Sequence, residues 1–167
     1  MTRDEVLARL VTARAVFDAK VAAAGQDGFD KVPPGFVHSA KDIVVHVTAY
    51  ERLIVERLRA ARKGETTAFD RDREGWEPYN ERVWAEAREA DEADVIEEAR
   101  AVFGDLLVEV RALSDAELAG DAGITMVLDP AWLDGRALWE MIGIDGFDHY
   151  PMHHETLDAA RDAAIEL

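Results

Sequence analysis

The sequence contains no cysteine, which excludes disulfide frameworks, thiolate zinc sites, iron–sulfur clusters and a cysteine nucleophile. Any metal has to be held by His, Asp or Glu. Basic residues are scarce: 19 Lys and Arg stand against 35 Asp and Glu, a formal net charge of −16. Proteins that grip nucleic acid neutralise phosphates with clustered Lys and Arg. The nearest such cluster here, Arg57, Arg59, Arg62 and Lys63, reads as the basic last turn of a helix, where positive charge suits the helix dipole. Nucleic acid and anionic membrane are therefore not expected as partners. No apolar run approaches the roughly 20 residues that a bilayer span requires. The opening MTRDEVLARL is charged and amphipathic with no apolar stretch behind it, so a soluble, cytoplasmic protein is expected.

Alternation of period two is nearly absent, and helical periodicity dominates. The 167 residues fit one domain, 1–167, by length, and 49% hydrophobic residues suffice for a core. Val6, Leu7, Leu10, Val11, Val16, Phe17 and Val21 recur at three and four, predicting a helix from Thr2 to about Ala24 that stops at Gly25. GQDGFDKVPPGFVH follows as a loop. Ser39-Ala-Lys-Asp42 is a loose capping box that opens a second helix ending at Gly64. An acidic loop, about Glu65 to Trp76, offers few groups to a core. A third helical region begins near Pro78 and is interrupted at Asp91-Glu-Ala-Asp94, because Asp favours caps. Ser114-Asp-Ala-Glu117 caps at most a short turn, and residues 120–135 form a long connection, a lid or a brief extended segment. The last helix starts near Asp134 or Gly135 and runs to the C-terminus, with a kink or break near 147–151 from Pro151. Four principal helices predict an all-α four-helix bundle.

Five histidines are the most informative polar residues. At 100° per residue, Ile43, His46, Val47, Tyr50, Leu53, Ile54 and Leu58 share one arc of the second helix, with Val44, Thr48, Arg52 and Glu56 outside it. On the last helix the same wheel groups Trp139, Ile142, Gly146, His149, His153, Leu157 and Ala160. His149 and His153 are four apart and share a face, a standard way to offer two nitrogens to one ion. A third imidazole from a facing helix leaves a coordination position open, the layout of a catalytic metal site. The plainer alternative is that His46 is a hydrogen-bonded core residue and the other pair a coincidence of spacing. His38 reads as exposed, and His154 as a spare ligand or surface group. Asp145, one turn before His149, is placed to accept a hydrogen bond from its second nitrogen. Tyr50 can orient a substrate or act as an acid, or simply pack in the core. Glu51, nearer the edge of the arc, is a weaker candidate base.

The segment HSAKDIVVHVTAYERLI resembles the W-S-x-K-D-(V/L)-L-x-H-L-x-x-(W/Y)-E motif of DinB/YfiT-like proteins, especially their ClbS/DfsB-like branch. GWEPYNERVWAEAREADEADVIEEARAVFGDLLVEVRALSDAEL is similar to that branch's third-helix region, and ALWEMIGIDGFDHYPMHHETL to its last helix, where H-Y-x-x-H is common. Phe36-Val37-His38 stands where the family has a Trp, and some members of the branch lack the His trio. The resemblance implies a four-helix bundle with a divalent-metal site built from three His, which maps onto His46, His149 and His153. It further implies a metal-dependent hydrolase or thiol transferase acting on a small molecule, in detoxification or self-resistance. Zinc, nickel and manganese all suit such ligands, and a homodimer is compatible with the resemblance. The competing reading is a bundle that sequesters a small molecule without metal or catalysis.

Overall fold

Thr2 opens α1 (Arg3–Phe29) with a reciprocal cap: its hydroxyl accepts from the Glu5 amide while the Glu5 carboxylate accepts from the Thr2 amide. The structure, a computed structural model, describes residues 1–73 and 75–165. Glu74, in the expected acidic loop, and residues 166–167, at the end of the expected last helix, lie outside them. α1 does not stop at Gly25. The chain bends there (φ 65°, ψ 176°) and resumes a helical turn to Phe29. Only glycine takes that backbone conformation without strain, and the extra turn buries Phe29.

α2 (Ala40–Arg62) begins at Ser39, whose side chain and Asp42 form the expected capping box. It packs against α1, against α4 (Trp76–Glu89), α5 (Glu92–Arg111) and α8 (Leu138–Asp145), and touches α9 (His154–Ile165). Surrounded in this way, α2 buries Val44 and Thr48 as well as the predicted arc, in which Tyr50 is half-buried. A wheel assumes one wet face, and α2 scarcely has one.

The stretch read as a loop with few core groups contains α3 (Ala68–Asp72), which delivers Asp70 to Arg57. Arg57 is therefore no exposed helix-end charge: it is 2% exposed and paired through Nη2 to Asp70 Oδ1 at 2.8 Å. Arg59 and Arg62 both reach Glu109 on α5. Asp91 caps α5 and separates it from α4. Ser114 caps the short α6 (Asp115–Ala119). The connection after it holds a 3-10 turn (Gly123–Met126) and α7 (Pro130–Leu133) rather than an extended segment, and it contributes Leu128 and Trp132 to the core.

The last helix is broken in the expected stretch, with the departure beginning at Gly146. α8 ends at Asp145; Gly146 (φ −127°, ψ −106°) leaves the helical region, and a 3-10 turn (Tyr150–His153) leads into α9. Pro151 sits in the first turn of that new segment, where its missing N–H removes no hydrogen bond. Glycine is required at 146 because a Cβ there would meet the Ile142 carbonyl oxygen at 2.6 Å. With α1, α2 and α5, this broken helix completes an all-α bundle; no strand occurs among the described residues. Leu10, Ile54, Leu58, Leu106, Leu138 and Ile142 fill one end of its core, and Phe17, Ile43, Val47, Tyr150 and Leu157 the other.

Candidate metal centre

Three imidazoles meet between α2 and the broken segment. His46 projects from α2, His149 from the break, and His153 from the end of the 3-10 turn. The Nε2 atoms of His46 and His149 are 3.2 Å apart, and those of His153 and His149 are 3.1 Å apart. One ligand atom from each of the three lies within 4.8 Å of the others. A neutral imidazole has a single N–H donor, so like nitrogens aimed at one point gain little from one another. A cation shared by their lone pairs satisfies all of them. Metal–nitrogen bonds of about 2.0–2.1 Å with tetrahedral angles put ligand pairs roughly 3.4 Å apart, close to the two short separations.

Electrostatics point the same way. Burial pushes His46 down to about 3 and His153 down to about 4, with the neighbouring imidazoles adding to the effect. Burial also lowers His149. All three rings are therefore neutral near pH 7, as a metal ligand must be. The Nδ1 atoms of His46 and His149 are buried and lack a well-formed hydrogen bond. The Asp145 backbone carbonyl lies near enough to His149 to oppose part of the effect of burial, but not in good hydrogen-bond geometry.

Aromatic side chains enclose the cluster. Trp84 stacks on His46, with centroids 4.5 Å apart, and also on His38 at 3.9 Å. His38, expected to be exposed, is consequently half-buried. Tyr50 lies 4.8 Å from His46 and 4.7 Å from His149, ring to ring, and stacks on Trp76 at 5.3 Å. Its hydroxyl donates to Asn80 Oδ1 at 3.1 Å, and burial raises its pKa. Trp76, Asn80 and Trp84 are four apart on α4, so a single face of that helix lies against Tyr50 and His46.

Two candidate carboxylates have other partners. Asp145 does not accept from His149: its Oδ2 accepts from Trp132 Nε1 at 3.1 Å and lies 3.6 Å from Arg57 Nη1. Burial pushes this carboxyl up to about 6 against the pull of Arg57. Glu51 is fully buried. Both of its oxygens accept from Arg14 Nη1, at 2.8 and 3.0 Å, and Oε1 also accepts from the Tyr150 hydroxyl at 2.5 Å. His154 stands outside the converging group. Tyr150 enters the sequence reading only as the Y of H-Y-x-x-H, and Arg14 belongs to no motif. The available signal was the row Leu10, Arg14, Phe17, Val21, in which an arginine occupies a core position of α1.

A helical bundle with three histidines converging from α2 and from the break before α9 defines a protein class whose candidate chemistry is metal-centred. The chain matches the DinB superfamily model over residues 9–141 and belongs to that superfamily. The matched region includes His46 and ends before His149 and His153. No curated protein matches the sequence. The crystal structure of an uncharacterised protein from Escherichia coli UTI89 shares the fold, with a TM-score of 0.75 at 15% identity over 97% of this chain and 94% of that one.

Proposed function

We propose that this protein is a metal-dependent enzyme acting on a small molecule by hydrolysis or thiol transfer, with His46, His149 and His153 holding one divalent ion. The observation that carries this reading is the convergence of their Nε2 atoms, with the 3.1 and 3.2 Å separations. Zinc, nickel and manganese all suit neutral imidazole donors. A divalent ion so bound supplies Lewis acidity, which makes a water or thiol nucleophilic near neutral pH.

The chain's own residues do the remaining work. Burial keeps the three imidazoles unprotonated and their lone pairs free. Tyr50 flanks two of the rings and, through its hydroxyl, orients a substrate or delivers a proton; Asn80 sets the direction of that hydroxyl. Trp84 covers His46 from the same side, and Trp76 stacks on Tyr50. We place the protein in the ClbS/DfsB-like branch, with a role in detoxification or self-resistance in the cytoplasm. Its partner is a small molecule rather than nucleic acid, consistent with the charge of −16. Among the described residues no helix is long and apolar enough to cross a membrane.

The test is metal content by mass spectrometry on untagged protein, beside His149→Ala. About one divalent ion per chain, absent from the variant, is the expected result. A wild-type protein that is empty and also fails to take up added zinc, nickel or manganese would overturn the reading in favour of a metal-free binding bundle.

A further inference from the structure

Two of the three histidines sit where the backbone is least able to place them. Between Gly143 and Met152 the regular helical ladder gives way to mixed bonds: Gly146 N to Gly143 O, Asp148 N to Gly143 O, His149 N and Tyr150 N to Gly146 O, and Met152 N to His149 O. A helix fixes the direction of each side chain through its continuous i to i−4 bonds. Across this break that information is lost, and the rotation of residues 149–153 about the chain has to be set by tertiary contacts.

One such contact, beside the core packing of Phe147, is made by Tyr150. It is fully buried, its ring packs against Phe17 with centroids 5.5 Å apart, and its hydroxyl donates to Glu51 Oε1. Glu51 is itself held by Arg14, which also donates to Asp18 and to the Ala99 carbonyl. The carboxylate is thereby fixed against α1 and α5 as well as carried by α2. His46 and Glu51 are five apart on α2, about 140° around its axis. The adjacent residues His149 and Tyr150 grip α2 at those two points. One contact is the candidate ligand pair, and the other is a buried charge-assisted hydrogen bond, the stronger type of such bond.

We propose that Tyr150, anchored on the Arg14–Glu51 pair, is a positioning residue that sets the rotation of the helix break and so aims His149 and His153 at His46. The inference rests on the three-histidine reading for its functional meaning. The clamp itself is a property of the protein without metal. It is distinct from the Asp145–Trp132–Arg57 cluster, which holds the other side of the break.

The experiment compares Tyr150→Phe with Tyr79→Phe. Tyr79 is also buried, and its hydroxyl donates to the Ala49 carbonyl at 3.0 Å, so both variants lose one buried hydroxyl while keeping the ring. The first readout is hydrogen exchange of metal-free protein. Tyr150→Phe is expected to speed exchange at residues 146–153 about tenfold relative to wild type, with 95–110 in α5 unchanged, and Tyr79→Phe to leave 146–153 as in wild type. The second is zinc affinity by chelator competition, expected to weaken by about 10- to 100-fold in Tyr150→Phe only. The clamp is overturned if the two variants exchange alike across 146–153, or if exchange there rises while zinc affinity is unchanged. Should wild type bind none of zinc, nickel and manganese while Tyr150→Phe still loosens 146–153 selectively, the metal reading falls and the clamp stands.

Discussion

The Nε2 atoms of His46 and His149 lie 3.2 Å apart although 103 positions separate the two residues in the chain. That contact joins the middle of α2 to the break between α8 and α9. It couples any ion held there to the packing of the last helix, because a ligand that binds only the folded state stabilises it by mass action. Saturating zinc is expected to raise the melting temperature of wild type and to leave that of His149→Ala unmoved. Thermal melts with and without added zinc check it.

Acid should unfold the metal-free protein through the same residues. Unfolded histidine titrates near 6.5, whereas burial holds folded His46 at about 3 and His153 at about 4. Between those values the unfolded chain binds more protons than the folded one. This contribution to stability is thus present in full above pH 6.5 and is lost as pH falls towards 4 and then 3. Asp145, raised to about 6, acts with opposite sign between 6 and its unfolded value near 3.9, so the net loss is spread fairly evenly between about pH 6 and 4. A fall in melting temperature of on the order of a few degrees per pH unit is expected there. His46→Ala should flatten the slope.

Tyr50→Phe removes no metal ligand and keeps the ring against His46, His149 and Trp76. Ion stoichiometry should be unchanged. Turnover of a substrate should fall by about 100-fold or more if the hydroxyl transfers a proton. Metal analysis and steady-state rates on the same preparation separate the two effects.

Asp145→Ala should destabilise the fold by about 1–3 kcal/mol, the usual cost of leaving a buried donor unsatisfied. The donor is Trp132 Nε1, and Arg57 loses its second carboxylate as well. Denaturant unfolding measures the difference.

Gly146→Ala should cost about 1–3 kcal/mol as an overpacking substitution, because the new Cβ meets the Ile142 carbonyl oxygen at 2.6 Å and Leu10 Cδ2 at 3.2 Å. Zinc affinity should fall with it, since relief of the clash moves the segment carrying His149. Calorimetry and chelator competition read the two outcomes.

What the sequence by itself determined is local in origin. The caps at Ser39, Asp91 and Ser114, the apolar rows of α1, α2 and α5 and the interior placement of His46 all follow from periodicity and short-range hydrogen bonding. Those same rules had His149 and His153 on one face, because i and i+4 remain neighbours whether or not the helix is ideal. Only the tertiary structure decided what depends on residues distant in sequence. Gly25 bends α1 instead of ending it because Phe29 has a core to enter. Arg57 is buried because α3 brings Asp70 to it, and Asp145 turns to Trp132 rather than to His149. The break near Pro151 was legible in the sequence, but its start at Gly146 was not, because the approach of Leu10 and the Ile142 carbonyl that makes glycine necessary there is seen only in the fold. Arg14, Glu51 and Tyr150 look like one charged, one acidic and one aromatic residue on three unrelated segments. They become one unit when burial removes water and brings the three within hydrogen-bond distance.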